Sequence, residues 1–390
     1  MTDQDARPAP SAPARDAPTP PPSPPASTTR ASGSTWRSVT DATWSAPVAE
    51  LRPGPQRVTA IATPIRLMIA PLSRSTAGMS ERAANLAPLP RHHQCRLAAG
   101  SFAMEDFRAA AVQMNAPLGE VEANLERIER YARQAAAEGA ELVCFPELSV
   151  SGHWCAGEVW DISEEVPGGP SCWRLERLAD ELGCFLSVGI AEREASIAYN
   201  TQMVIGPQGF LGKQRKLHMS ADEYFHFRMG ASVNVIDIGL CRLGIGICYD
   251  TVFPETARIA AIKGAEVYLA PHAARCGQWC DEDEKQRQKV SAVKSNARMT
   301  FRSRAHDNGM YVIYCNQAGP AGPDTNHCGG ILFVSPSGEV IAESSTDLIE
   351  DEMVVCDLDA EAFNVRRRAR CFNLQTRRPE IYGDISRPTD

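Results

Sequence analysis

Three chemically reactive side chains follow apolar segments of this 390-residue chain. Glu147 comes after the apolar run ELVCF and a proline, in FPELSVSG, and Cys248 ends the run GIGIC in GIGICYDTVFPE. Lys216 lies in GKQRKLHM, after another apolar segment. A carboxylate can take the proton of a thiol, and an ammonium can stabilise an oxyanion. The three types together therefore favour attack on a carbonyl carbon by a cysteine nucleophile.

Each of these residues also has an ordinary structural explanation. A cysteine at a strand end can be a small core residue, and a lysine in a charged segment can belong to a solvated surface. A glutamate after a strand can cap a helix. A carboxylate in that position, however, costs several kcal/mol to bury unless a partner pairs with it. Burial of Glu147 would therefore require a partner group.

Alternating strands and helices position these residues. After Met104, FRAAAVQM reads as a strand, and Val121, Leu125, Ile128 and Ala132 line one face of a helix. ELVCF then reads as a second strand, and the pattern recurs along the chain. Further helices are predicted in SCWRLERLADELG, PETARIAAIKGA and residues 283–308, and further strands in CFLSVGIAE, YNTQMVIG, SVNVIDIG, CRLGIGIC, EVYLA, MYVIYCNQ, GGILFVSP and MVVCDLD. We predict an α/β domain over residues 104–390, with its site at the ends of the strands.

Residues 1–103 differ sharply in composition from the rest. They hold 16 of the 28 prolines, eleven arginines, no lysine and six acidic residues, which gives this segment a charge of about +5 against about −13 for the remainder. Such a segment cannot bury a core. We predict a disordered Pro/Ala/Arg-rich extension. A transit peptide or other leader, a linker, and a start set upstream of a true start at Met104 remain open explanations.

Charge and cysteine usage exclude several classes of protein. The net charge of −8 argues against nucleic-acid binding, which needs a basic surface. Thirteen cysteines, odd in number and scattered, do not form a disulfide framework, so a reducing, cytoplasmic location is expected. The most apolar stretch near the start, VTAIATPIRLMIAPL, contains Arg66 and two prolines and is too short to cross a bilayer. No membrane association is expected.

The three reactive segments resemble the motifs of the nitrilase superfamily, the carbon–nitrogen hydrolases. That family carries a Glu-Lys-Cys triad in segments similar to FPELSVSG, GKQRKLHM and GIGICYDTVFPE. AYNTQMVIGPQG, RSRAHDNGMYVIYCNQAG, GGILFVSPSGEVIAES and RRPEIY match as well, so the resemblance covers roughly residues 106–383. It implies that Glu147, Lys216 and Cys248 are catalytic and that Glu223 is the second glutamate, which holds the lysine and helps to position substrate.

The resemblance carries further expectations. It implies a four-layer α-β-β-α sandwich, a homodimer or higher homo-oligomer formed through the helical layer, a thioester intermediate, and no metal or organic cofactor. It also implies that the segment after the EVYLA strand, which contains His272, borders the substrate. Glu223, Tyr249 and His272 are predicted as substrate-binding residues. Trp154, His226, Arg275 and Trp279 are further candidates for residues that border the pocket.

Two local patterns have competing explanations. In HAARCGQWC a helical backbone would bring His272, Cys276 and Cys280 onto one face as possible metal ligands, but a fourth ligand is missing and we predict no metal site. Asp250 is expected to bond backbone groups in the turn before a helix that starts at Pro254, instead of contacting substrate.

The residues after the nucleophile bear on the substrate. CYD resembles the simple amidase branches, whereas nitrilases usually have Trp-Glu and carbamoylases often Trp-Asp at this point. We therefore predict hydrolysis of a small linear amide to a carboxylic acid and ammonia. Hydrolysis of N-carbamoyl amines or amino acids, nitrile hydrolysis, acyl transfer and a non-catalytic or ammonia-supplying binding module remain alternatives.

Overall fold

The computed structural model describes residues 104–153, 159–278, 283–321, 325–345, 349–369 and 372–388. The predicted extension over residues 1–103 lies outside these ranges. Within them, no helix has the length and apolar character that a membrane span requires.

Strands and helices alternate along the described chain. The strands are β1 (Phe107–Gln113), β2 (Leu142–Cys144), β3 (Phe185–Glu194), β4 (Ile197–Gly206), β5 (Gly209–Arg215), β6 (Val235–Asp237), β7 (Arg242–Ile245), β8 (Val267–His272), β9 (Arg275–Gln278), β10 (Tyr311–Asn316), β11 (Ala318–Pro320), β12 (Thr325–Cys328), β13 (Ile331–Val334), β14 (Val340–Glu343) and β15 (Glu352–Leu358). The helices are α1 (Val121–Ala137), α2 (Val159–Ile162), α3 (Pro170–Leu182), α4 (Pro254–Ile262), α5 (Asp283–Asn308) and α6 (Ala360–Arg368).

Two six-stranded mixed sheets form the centre of the molecule. The strand order is β15-β1-β2-β3-β4-β5 in the first sheet and β14-β13-β10-β8-β7-β6 in the second. β2 lies parallel to β1 and β3 in the first sheet, and β8 lies parallel to β7 and β10 in the second. A smaller sheet, β11-β12-β9, accompanies them. The parallel strands are the ones that the strand–helix–strand pattern predicts.

Both faces of each large sheet are buried, as the side-chain alternation of β1 shows. Ala110 and Val112 pack in a cluster with α1 and α3, whereas Ala109 and Ala111 pack in a second cluster with β7, β8, β10 and β13 of the other sheet. A third cluster joins the second sheet to α4 and α5. The layers are therefore helix, sheet, sheet, helix, which confirms the predicted α-β-β-α sandwich.

The strand predicted to run to Cys248 ends earlier. β7 stops at Ile245, and residues 248–252 form a 3-10 turn that leads into α4. Gly246 lies between these elements, where a Cβ atom would be 1.8 Å from Tyr268 Oη. The glycine lets the chain pass this buried tyrosine on its way to the turn that begins at Cys248.

Candidate active site

Both large sheets contribute to one cluster of reactive side chains. Glu147 follows β2 and Lys216 follows β5, both in the first sheet, whereas Cys248 follows β7 in the second. Glu147 and Lys216 are fully buried, and Cys248 is partly exposed. The structure therefore brings together the three residues that the sequence predicts as catalytic.

The backbone is strained next to Glu147, at Cys248 and in the turn that carries Glu223. Leu148, Ala221 and Cys248 have φ angles of 49°, 45° and 47°, in the left-handed region that side chains with a Cβ atom rarely adopt. They are three of the four such non-glycine residues in the described ranges. Strain of this kind persists only where the surrounding structure holds it, and it is typical of functional sites.

Lys216 is the centre of a buried charge network. Its Nζ donates hydrogen bonds at 2.7 Å to Glu147 Oε1 and to both carboxylate oxygens of Glu223. Burial alone would lower the pKa of Lys216, but the negative charges of Glu147 and Glu223 outweigh it and raise the pKa. Lys216 is therefore a cation.

Glu147 has one bonded and one unbonded carboxylate oxygen. Oε1 accepts hydrogen bonds from Lys216 and, at 2.7 Å, from Asn200 Nδ2, while Oε2 has no hydrogen-bond partner among the described residues. The Gln317 side chain donates to the Glu147 backbone carbonyl at 2.7 Å. Burial alone would raise the pKa of Glu147, but the Lys216 charge outweighs it and lowers the pKa. The carboxylate is thus ionised and has one oxygen available to accept a proton.

The nucleophile candidate is a neutral thiol at rest. Burial and the Glu147 charge raise the pKa of Cys248 above its usual value, and Lys216 opposes them only in part. A thiol with a raised pKa needs a base to become a nucleophile.

Asp250 connects the 3-10 turn of Cys248 with the segment that carries Lys216. Its buried carboxylate accepts backbone hydrogen bonds from Ile247 at 3.1 Å, Leu217 at 3.0 Å and His218 at 2.8 Å. The predicted backbone role is confirmed, and it extends to residues next to Lys216. Asp250 thereby fixes the separation between the two reactive segments.

A cavity of about 260 Å³ opens on Cys248. Its lining residues are His153, Ser220, Ala221, Asp222, Glu223, Cys248, Ala273, Ala274 and Arg275. The predicted pocket residues Glu223 and Arg275 are among them. Sequence reasoning missed His153, although it directly follows the FPELSVSG motif of Glu147.

Other predicted pocket residues lie elsewhere or outside the described ranges. The Tyr249 ring packs edge-on against Phe253, and the residue is not in the described lining of the cavity. His272 is also outside that lining; it is buried and bonds Thr251 Oγ1 at 3.1 Å, and burial lowers its pKa to about 4. Substrate contact by these two residues stays a prediction. His226 does not line the described cavity either, and Trp154 and Trp279 lie outside the described residues.

The structure corrects the helical interpretation of HAARCGQWC. His272 ends β8 and Cys276 lies in β9, so the backbone is extended and these side chains do not stack on one helical face; Cys280 lies outside the described residues. Within the described part, Glu147, His153 and Glu223 offer atoms within 4.8 Å of one another that could hold a metal. The Lys216 ammonium, 2.7 Å from both carboxylates, already occupies the cation position among them.

A layered α-β-β-α sandwich with a buried carboxylate and ammonium and a partly exposed thiol after its strands is the arrangement that the nitrilase resemblance implies. Residues 108–367 match the family model of the carbon–nitrogen hydrolases, and the chain belongs to this family of enzymes.

Known proteins similar to this chain include amidases and nitrilases. A nitrilase of Pyrococcus abyssi is 31% identical, over 65% of this chain and 89% of that protein. The omega-amidase of Homo sapiens is 30% identical, over 72% of this chain and 98% of that protein. A solved mutant of the amidase from Nesterenkonia sp. AN1, with acrylamide added at its active site cysteine, is 26% identical with a TM-score of 0.58, over 72% and 99% of the two chains.

Replacing Lys216 with methionine is expected to lower the free energy of unfolding by about 3 to 5 kcal/mol at neutral pH, because two buried carboxylates lose their cation. In the wild type the pKa of Glu147 and that of Glu223 are lowered, so their contribution to stability is present above the unfolded value and lost as pH falls. Without Lys216, burial would raise both pKa values, and the deficit should shrink as pH approaches about 4.3. Urea unfolding at several pH values measures this loss of unfolding free energy. Lys289→Met, at an exposed lysine, is the control. An equal loss of unfolding free energy at all pH values would contradict the charge network of Lys216 with Glu147 and Glu223.

Replacing Gly189 with alanine is expected to lower kcat by about 100-fold, because a displacement of roughly 1 Å at a catalytic group has that effect. A Cβ atom at Gly189 would lie 2.2 Å from Leu148 N and 2.8 Å from the Glu147 carbonyl carbon, so the segment carrying Glu147 must move. Steady-state kinetics tests this. Gly383→Ala is the matched control because its Cβ would meet nothing within 4 Å. Unchanged kcat in Gly189→Ala would show that the segment tolerates displacement.

Proposed function

We propose that the protein hydrolyses a small linear amide to a carboxylic acid and ammonia through a thioester on Cys248, with Glu147 as the proton carrier and Lys216 as the oxyanion-stabilising cation. The observation that carries the proposal is the asymmetry of Glu147. One of its oxygens is held by Lys216 and Asn200, and the other lacks a partner within the described chain, in a site that also holds a neutral thiol. The amidases among the similar proteins support the same reaction.

In the first half of the reaction, the Cys248 sulfur bonds to the amide carbon as Glu147 Oε2 takes the thiol proton. The negative charge that develops on the carbonyl oxygen is stabilised by the Lys216 ammonium and by a backbone N–H at the start of the 3-10 turn, whose first amides have no partner within the turn. One such donor contributes about 3 kcal/mol to transition-state stabilisation. The C–N bond then breaks, and Glu147 gives its proton to the departing nitrogen.

In the second half, a water molecule attacks the thioester carbon while Glu147 accepts its proton. The C–S bond breaks, the acid leaves, and the proton returns from Glu147 to the sulfur. Glu223 holds Lys216 in place throughout, since its two oxygens both bond Nζ. Every proton transfer uses groups of this chain, and no cofactor takes part in these steps.

A substrate panel tests the function. Ammonia release is measured for omega-amides such as succinamate, simple carboxamides such as butyramide, N-carbamoyl amines and nitriles. The cavity of about 260 Å³ fits small substrates, and we expect omega-amides or carboxamides to give the highest kcat/KM. Faster hydrolysis of carbamoyl compounds or nitriles would replace the proposed substrate class. Ammonia release from none of them would contradict the proposal.

The oligomeric state and the cellular location of the enzyme are also proposals. We propose that the enzyme acts as a homodimer or higher homo-oligomer in the cytoplasm, without nucleic-acid or membrane partners. Support for association comes from half-exposed apolar side chains around α4, where Val252, Ile259 and Ile262 are 57%, 41% and 49% exposed. Support for a reducing compartment comes from the nine cysteines of the described ranges that are free thiols.

A further inference from the structure

His153 is a buried side chain in the cavity to which neither the family resemblance nor the proposed reaction assigns a role. It is 8% exposed and lines the cavity with Cys248 and Glu223. A ring nitrogen of His153 and a carboxylate oxygen each of Glu147 and Glu223 all lie within 4.8 Å of one another. The imidazole therefore lies beside the carboxylate that protonates the amide nitrogen in the proposed reaction.

The two ring nitrogens of His153 have different surroundings. Nε2 lies 3.6 Å from Glu223 Oε1, which is slightly longer than a direct hydrogen bond but close enough for the carboxylate to orient the N–H group. Nδ1 is buried and has no hydrogen-bond partner in the described part of the chain. The His327 ring packs edge-on against the His153 ring, with the two ring centroids 5.9 Å apart.

The Glu223 carboxylate determines which tautomer of the His153 ring is favoured. Glu223 is ionised, because its contact with His153 and the charge of Lys216 overcome the effect of burial and lower its pKa. A hydrogen on Nε2 then faces a negative oxygen, whereas a lone pair there would be repelled. In the neutral ring the hydrogen therefore lies on Nε2, and Nδ1 is an acceptor. A buried acceptor without a partner costs free energy until a donor binds to it.

We propose that His153 is a specificity-determining residue whose Nδ1 accepts a hydrogen bond from the leaving NH₂ group, so that the enzyme selects primary over N-substituted amides. This inference rests on the proposed amide hydrolysis. A primary amide nitrogen carries two hydrogens, and a second acceptor beside Glu147 can bind the one that Glu147 does not. An N-methyl group would place carbon against Nδ1 and leave the acceptor unpaired.

The test compares each primary amide with its N-methyl analogue. Butyramide and succinamate are paired with N-methylbutyramide and N-methylsuccinamate, and formation of the carboxylic acid, the product common to both members of a pair, is measured. Where turnover of the N-methyl amide is below detection, its inhibition constant against the primary amide replaces kcat/KM. The variants are His153→Phe, which retains a ring without nitrogen, and His153→Asn, which retains an acceptor oxygen near the Nδ1 position. His306→Phe, at an exposed histidine on α5, is the control.

His153→Phe is expected to lower kcat/KM for the primary amide by about 10- to 100-fold, the range for leaving a buried polar partner unpaired, and to leave the N-methyl amide nearly unchanged. His153→Asn should recover part of the preference, and His306→Phe should retain all of it. An equal loss for both members of a pair would overturn the inference and show a role limited to packing or to Glu223, with the proposed function intact. If wild type hydrolyses neither member of either pair, the proposed function fails instead. Unchanged kinetics of His153→Phe would also overturn the inference.

Discussion

Replacing Cys248 with alanine is expected to abolish amide hydrolysis and to leave the fold intact. The sulfur forms the bond to the substrate carbon in the proposed reaction, and a methyl group cannot replace it. The fold should persist because the hydrogen bonds of the turn involve the Cys248 backbone carbonyl and the Asp250 side chain, not the sulfur. The measurements are steady-state acid release and the thermal midpoint of unfolding.

Cys276→Ala is the control for the loss of a thiol. Cys276 is buried beside Cys328 and Val290, and it does not line the described cavity. Its alanine variant should therefore retain nearly wild-type kcat. Activity of Cys248→Ala above about one hundredth of wild type would rule out Cys248 as the nucleophile, since removal of a covalent nucleophile has much larger effects.

Replacing Glu147 with glutamine is expected to lower kcat by about 100- to 10,000-fold, the range for general acid–base catalysis. Glutamine keeps the size of the side chain and can still accept from Lys216, but an amide nitrogen or oxygen cannot take the proton of the thiol. Both thioester formation and thioester hydrolysis should fail. The distinguishing measurement is the rate of Cys248 alkylation by iodoacetamide against pH, which reports proton removal without requiring substrate turnover.

Glu223→Gln is a matched control, because both substitutions remove one negative charge next to Lys216 and keep the shape of the side chain. Each charge contributes to raising the pKa of Cys248, after burial, so both variants change that electrostatic effect in the same direction. The difference between their alkylation profiles therefore isolates proton acceptance.

The expected profiles differ clearly. Glu223→Gln should be alkylated with a pH dependence similar to that of wild type, shifted only to lower pH because one charge that raises the Cys248 pKa is removed. This variant should bind substrate poorly. Glu147→Gln should react only at the more alkaline pH of a thiol without a base. If Glu147→Gln were alkylated like wild type and Glu223→Gln were not, the roles of the two glutamates would be reversed.

Local sequence patterns were sufficient for the fold class and for the type of chemistry. The alternation of strand and helix periods predicts the α/β domain, and the three motifs predict which side chains follow the strands. Both depend on neighbours within about ten residues, which a linear sequence displays directly. β5 was missed because GFLGKQR reads as a charged segment, although pairing with β4 makes it a strand. The same limit applies to HAARCGQWC, where pairing of β9 with β12 determines an extended backbone in place of the helix considered for a metal site.

Only the tertiary structure decided the state of each reactive group. Asn200 and Lys216 reach Glu147 from 53 and 69 residues away, and these contacts determine which carboxylate oxygen is bonded and which is available. The free nitrogen of His153, the neutral thiol of Cys248 and the reach of Asp250 to the lysine segment also depend on residues distant in sequence. Protonation and hydrogen-bond capacity depend on burial and on the charges within a few ångströms, and both arise only when elements distant in sequence pack together.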